Sequence, residues 1–197
     1  MSNTAPRLEN CEAAIDLANR DDPTRVVFEG AEQPTALIEG IRAAAWVREL
    51  LPGASEPLLL GARAHHLRRW LVPRDSYPRT REGYHAWRSG LYDFHAEELG
   101  KLMRTAGYTD DEVARSARIL RKQGIKSDPE VQAHEDAVSL AFIELRLAAF
   151  APTVNDEQLV RALKRTLLKM SAEGRAAVGQ LAVNGETAAI LSRLGDV

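Results

Sequence analysis

From Pro129 to Phe150 the chain is apolar almost all round the cylinder a helix would form. A surface helix keeps a solvated polar face, so a helix apolar on nearly every side belongs in the middle of a fold, wrapped by others. With 197 residues there is chain enough for one domain with a core of that kind.

The rest of the sequence supplies the wrapping helices. Residues 10 to 20 read as a short helix stopped by Asp21-Asp22-Pro23. Pro34 opens another, which carries Leu37, Ile38, Ile41, Ala45 and Trp46 and stops at Pro52-Gly53. Ser55 caps a helix predicted to run to Leu71, before Pro73. A long helix is predicted from Thr80 to Ala106, with Gly107 just past its end. Thr109 with Glu112, and Ser127 with Glu130, have the spacing of capping boxes. Asn155 with Gln158 begins a further helix, and Ser171 and Glu186 mark two shorter ones. Arg25 to Gly30 is the one strand-like stretch, and an isolated strand makes no sheet. The expected fold class is all-α: a single-domain helical bundle of about seven to nine helices over residues 1–197.

Composition narrows the function classes. A net charge of −2 excludes a generic nucleic-acid coat or a polybasic membrane anchor. The single cysteine, Cys11, permits no intramolecular disulfide, which fits a reducing compartment. Met1 to Glu12 lacks an apolar signal region, and Ala137 to Phe150, broken by Glu144 and Arg146, is too short and too charged to span a bilayer. A cytoplasmic protein without membrane contact is expected.

Helical spacing then selects three inward polar residues. Leu59, Ala62, His66 and Trp70 share one stripe, with His65 rotated about 100° away from it. Leu91, His95, Leu99 and Leu102 form a second, with Glu98 one turn from His95. Asp136, Leu140, Ile143 and Leu147 form a third. Burying two imidazoles and a carboxylate separately costs about 1–3 kcal/mol for each unsatisfied neutral group and more for a charge. Brought together, they either hydrogen-bond to one another or hold a borderline divalent metal ion. The offset of His95 and Glu98 also suits part of a ferritin-like site, although that needs carboxylates on four helices.

Between Arg63 and His95 lie seven arginines and no lysine, interleaved with Trp70, Tyr77, Tyr84, Trp87, Tyr92 and Phe94. The planar guanidinium fork suits phosphate or carboxylate, and aromatic rings stack on bases. Arg63, Arg69 and Arg88 are the candidate phosphate-binding residues. The basic C-terminal residues Lys164, Arg165, Lys169 and Arg175 read as a solvated helix face.

Two resemblances follow from these residues. The order His66, His95, Asp136 resembles that of the HD superfamily of metal-dependent phosphohydrolases, all-helical proteins in which a helix-borne His, an adjacent His-Asp pair and a distant Asp bind the metal. Ala96 follows His95, so Glu97 or Glu98 has to supply the missing carboxylate as the catalytic residue. Over nearly the whole chain, the runs Ala62 to Trp70, Pro73 to Pro78, Gly83 to Arg88, Phe94 to Glu97 and Asp128 to Gln132 are similar to a bacterial and fungal family classed as domain of unknown function 4202. That resemblance points to Glu97, whereas helical phase favours Glu98. The implied activity is metal-assisted hydrolysis of a small phosphorylated molecule, a nucleotide among the candidates. The alternative is a non-enzymatic anion- or RNA-binding module using residues 63–95.

Overall fold

The computed structural model describes residues 4–181, 183 and 185–192 as a predominantly α-helical protein. Nine α-helices are seen among them: α1 (Thr4–Asn19), α2 (Thr35–Leu50), α3 (Glu56–Arg63), α4 (Arg81–Thr105), α5 (Asp110–Leu120), α6 (Pro129–Phe150), α7 (Asp156–Lys169), α8 (Ala172–Val178) and α9 (Gly185–Ser192). The apolar helix α6 is central, touching α2, α3, α5, α7, α8 and α9. Val131, Ala137, Leu140, Ala141, Ile143 and Leu147 are its contribution to the larger core. A second core lies between α1, α3, α4 and α5, around Ile15, Leu60, Leu67, Leu99 and Met103. No helix of the described residues is long and apolar enough to cross a membrane.

Local signals set most helix starts. Ser55, Thr80 and Ser171 each accept the backbone N–H three residues on, and the Thr109–Glu112 and Asn155–Gln158 boxes close in both directions. The Ser127 box does not form. Asp128 caps α6 instead, accepting from Glu130 and Val131 N–H, while Ser127 Oγ donates back to the Gly124 carbonyl. Glu130 is thereby released to bind Arg115 and Ser55 N–H.

Two further expectations are corrected. The strand at Arg25 is paired: β1 (Arg25–Phe28) and β2 (Ala31–Pro34) form an antiparallel hairpin. Glu29 (φ 51°) and Gly30 (φ 79°) both take positive φ at the turn, the backbone of a tight two-residue hairpin loop. The second strand, Ala-Glu-Gln-Pro, has no β-branched residue and carries no strand signal of its own. The Ser55 helix also stops at Arg63 rather than running to Leu71. Beyond it the chain turns, Arg68 sits at φ 51°, and only a short 3-10 turn, Arg69–Leu71, follows.

That early stop is a tertiary effect. Asn19, buried at the end of α1, accepts from Arg68 N–H at 3.0 Å and donates to the Ala36 carbonyl at 3.3 Å, pinning the turn to α1 and α2. At the same point α2 and α3 come together on Gly40, where a Cβ would lie 2.3 Å from the Arg63 carbonyl oxygen. Only a residue without a side chain permits that approach. It sets Glu39, on the neighbouring position of α2, against the turn that carries His65 and His66.

Candidate functional site

A cavity of about 760 Å³ opens between α2, the turn after α3, α4, α6 and α7. All five histidines of the chain, His65, His66, His85, His95 and His134, line it. Because the helix ends at Arg63, His65 and His66 are no longer on opposite helical phases, and both face the cavity. Their rings stand 4.2 Å apart between centroids, and His66 is 6.2 Å from His95.

The hydrogen bonds settle the tautomers of three rings. His65 Nδ1 lies 2.8 Å from the Ala62 carbonyl, and His95 Nδ1 lies 2.9 Å from the Leu67 carbonyl. A carbonyl only accepts, so Nδ1 carries the proton and Nε2 keeps its lone pair. His66 Nδ1 is 2.5 Å from Glu39 Oε2, and with Glu39 ionised it donates likewise. His95 Nε2 is buried with no hydrogen-bond partner. Burial drives His65 down to about 3 and holds His66, His95 and His134 well below the ordinary imidazole value, so all four are neutral near pH 7. Neutral imidazoles with Nδ1 anchored on oxygen and Nε2 open are the form in which histidine binds metals.

Glu39, His65 and His66 offer ligand atoms that all lie within 4.8 Å of one another. Glu39 is buried, and the loss of water raises its carboxyl pKa while His65, Arg146 and Arg69 act against the rise. Donors bound to one ion at about 2.1 Å are separated by roughly 3–4 Å, so these are close to a shared first shell. Histidine nitrogens and one carboxylate suit zinc, manganese, iron or nickel better than calcium.

Of the residues expected at the site, His66, His95, Arg69 and Arg88 line the cavity. Asp136 does not. It is buried on another face of α6, where Oδ1 accepts from Ser171 N–H and Gln132 Nε2, both at 2.9 Å. Gly174 lies so close that a Cβ there would meet Asp136 Cγ at 2.6 Å, so this carboxylate seats the start of α8. Glu97 is exposed, and Glu98 is turned to Arg68 and Lys101 at 2.8 and 2.5 Å, outside the cavity. Its three-residue offset from His95 rotates it about 60° off that ring's direction, enough to leave the wall. Arg63 is bound in bidentate fashion by Asp16 of α1, at 2.7 and 2.6 Å, and has no access to a ligand.

Residues that spacing alone passed over take their places: His65, Glu39, His134 and Glu135, with Lys122 from the turn after α5. The adjacent pair His65-His66 in a chain with so few histidines was the available signal. Arg165 and Lys169, read as a solvated face, also line the cavity along α7. Arg69 lies over the Trp87 ring at 4.7 Å, and Trp87 is itself held by Nε1 donating to the Val72 carbonyl at 2.9 Å. Arg88 donates to the Tyr92 hydroxyl at 2.9 Å.

Fold and cavity together define an all-α protein with a histidine-lined, cation-walled internal site. The chain belongs to the family described as Domain of unknown function (DUF4202), whose model matches residues 9–191. No curated protein and no solved structure matches it.

Proposed function

We propose that this protein holds a divalent metal ion through His65, His66 and His95, with Glu39 completing the donor set, and hydrolyses a small phosphorylated molecule. The observation that carries this reading is the cluster of Glu39, His65 and His66, whose ligand atoms lie within 4.8 Å of one another, with His95 on the same cavity, its Nδ1 tied to a carbonyl and its Nε2 without a partner. A buried imidazole nitrogen without a partner costs about 1–3 kcal/mol, which an ion would return.

When bound, such an ion acidifies water and polarises a phosphoryl oxygen. Glu39 orients His66 and keeps the donor set from being purely neutral. Arg69, braced on Trp87, and Arg88, braced on Tyr92, present guanidinium groups to phosphoryl oxygens. A cavity of about 760 Å³ falls within the range of small-molecule sites, which run from roughly 300 to 1,000 Å³.

The second reading, an anion- or RNA-binding module without a metal, draws on the Arg69–Trp87 stack. Elemental analysis of protein offered zinc, manganese, iron and nickel separates the two. The metal reading expects a stoichiometric ion, lost in His66→Ala and His95→Gln together with phosphatase activity on a panel of phosphate monoesters and nucleotides. Arg69→Ala should keep the ion and weaken substrate binding. Absence of any ion, or an unchanged ion content in both histidine variants, overturns it. Anion binding that survives His66→Ala and disappears in Arg69→Ala supports the module instead.

A further inference from the structure

We infer that the cavity is built for an oligophosphate, a ligand with two or more phosphate groups in a row, rather than for a single phosphate. The inference rests on the site proposed above and names its ligand class.

The first ground is the pairing of arginines. Among the described residues, the partly buried Arg7, Arg42, Arg63, Arg68, Arg115, Arg121 and Arg146 all meet a carboxylate. The partly buried arginines without one are Arg69, Arg74 and Arg88. Arg74 donates to the Tyr77 and Pro78 carbonyls, which leaves Arg69 and Arg88 at the cavity without an ion pair: Arg88 donates to tyrosine hydroxyls, and Arg69 lies over Trp87 with Glu39 acting on it from beyond ion-pair distance. A guanidinium half out of water without an anion is costly, and the two without either an ion pair or backbone carbonyls both line this cavity.

The second ground is charge. Arg69, Arg88, Lys122, Arg165 and Lys169 line the wall against only Glu39 and Glu135. A phosphate monoester brings about two negative charges at most. That leaves the wall positive even before an ion is added, whereas two or three linked phosphates come close to balancing it.

The third ground is arrangement. Three of the cations are linked in sequence by the neighbours they share. Tyr92 takes Arg88 Nε on its hydroxyl at 2.9 Å and faces Lys122 Nζ with its ring at 5.7 Å, so these two charges stand one tyrosine apart. Lys122 then pairs with Glu135, which also meets Lys169 at 4.0 Å on α7. One phosphate cannot touch both ends of such a row, and a phosphate chain can. His134 lies beside Glu135 in the same wall, 1% exposed, with neither ring nitrogen hydrogen-bonded. The Gly61 carbonyl acts on that ring from the backbone, and an anionic oxygen in the cavity would offer its N–H a stronger acceptor.

The test is calorimetric titration of the metal-stripped full chain with inorganic orthophosphate, pyrophosphate and tripolyphosphate. Working without metal keeps it separate from the ion-binding question, so a failed metal analysis leaves this result standing, and the reverse. Affinity should rise by about tenfold or more from orthophosphate to pyrophosphate, with the gain reduced by added salt. Lys122→Met should remove most of the gain from orthophosphate to pyrophosphate. Lys169→Ala, an exposed position that does not threaten folding, should reduce the gain for tripolyphosphate. Equal affinity for the three anions, or a gain that persists in both variants, overturns the proposal.

Discussion

The two charged regions of this molecule are built in opposite ways. Where α1, α3, α5 and the start of α6 meet, every charge is answered. Arg7 bridges Glu56 and Glu112, and Arg115 bridges Asp128 and Glu130. At the cavity, Arg69 and Arg88 make no ion pair, and His95 and His134 keep ring nitrogens without partners. Partly buried charge that is paired ties helices together, whereas charge and lone pairs left open around a void are a cost the fold carries until something binds. That difference supports the proposed site more than any single residue does.

Acid should distinguish the two regions most strongly. His65, His66, His95 and His134 have depressed pKa values, mainly through burial, so the unfolded chain takes up protons below about pH 6.5 that the folded one refuses. Their contribution to stability is complete above that pH and is lost as pH falls toward the folded value, about 3 for His65. The limiting slope is about 1.4 kcal/mol per pH unit for each imidazole. Glu39 acts the other way, because a raised carboxyl pKa favours folding as pH falls, but it is one group against four. The Arg115-bound Asp128, whose pKa is held well below the usual range first by that guanidinium, contributes nothing in this window. The unfolding free energy of the metal-free protein, read from denaturant melts, should therefore drop by several kcal/mol between about pH 7 and pH 5. A flat profile there would mean the imidazoles are not buried neutral.

Arg115→Ala comes next. It leaves Asp128 and Glu130 facing one another without their cation, and since the cluster is partly solvated the expected loss is about 2 kcal/mol in an equilibrium melt. Arg88→Met should have the smallest effect on folding. It keeps the stem, removes a charge that has no carboxylate, and should leave stability unchanged or raise it by less than about 1 kcal/mol. If Arg88→Met proves as damaging as Arg115→Ala, the contrast between a closed and an open region fails.

The helices were largely legible because their signals are local. The capping pairs Thr109–Glu112 and Asn155–Gln158, the cap at Ser55 and the apolar circumference of Pro129 to Phe150 act within a turn or two of chain. Where a start was misplaced, at Ser127, the competing cap was the next residue, Asp128. The site was legible only in part. Of the candidate residues, His66 and His95, chosen by helical phase, and Arg69 and Arg88, chosen by the density of arginine, line the cavity, whereas Asp136 and Glu98, with comparable phase, and Arg63 face elsewhere.

By itself, then, the sequence determined the helical class, the central place of α6 and most helix starts, since propensity, capping and periodicity depend on neighbours a few residues away. Only the tertiary structure decided that α3 ends at Arg63, because Asn19 of α1 and the bare backbone at Gly40 of α2 hold the turn from a distance. That one turn brings His65 round beside His66 and sets both against Glu39. Which buried charges were paired, and which were left without an ion pair, depended in the same way on contacts between residues far apart in the chain. No local pattern records them.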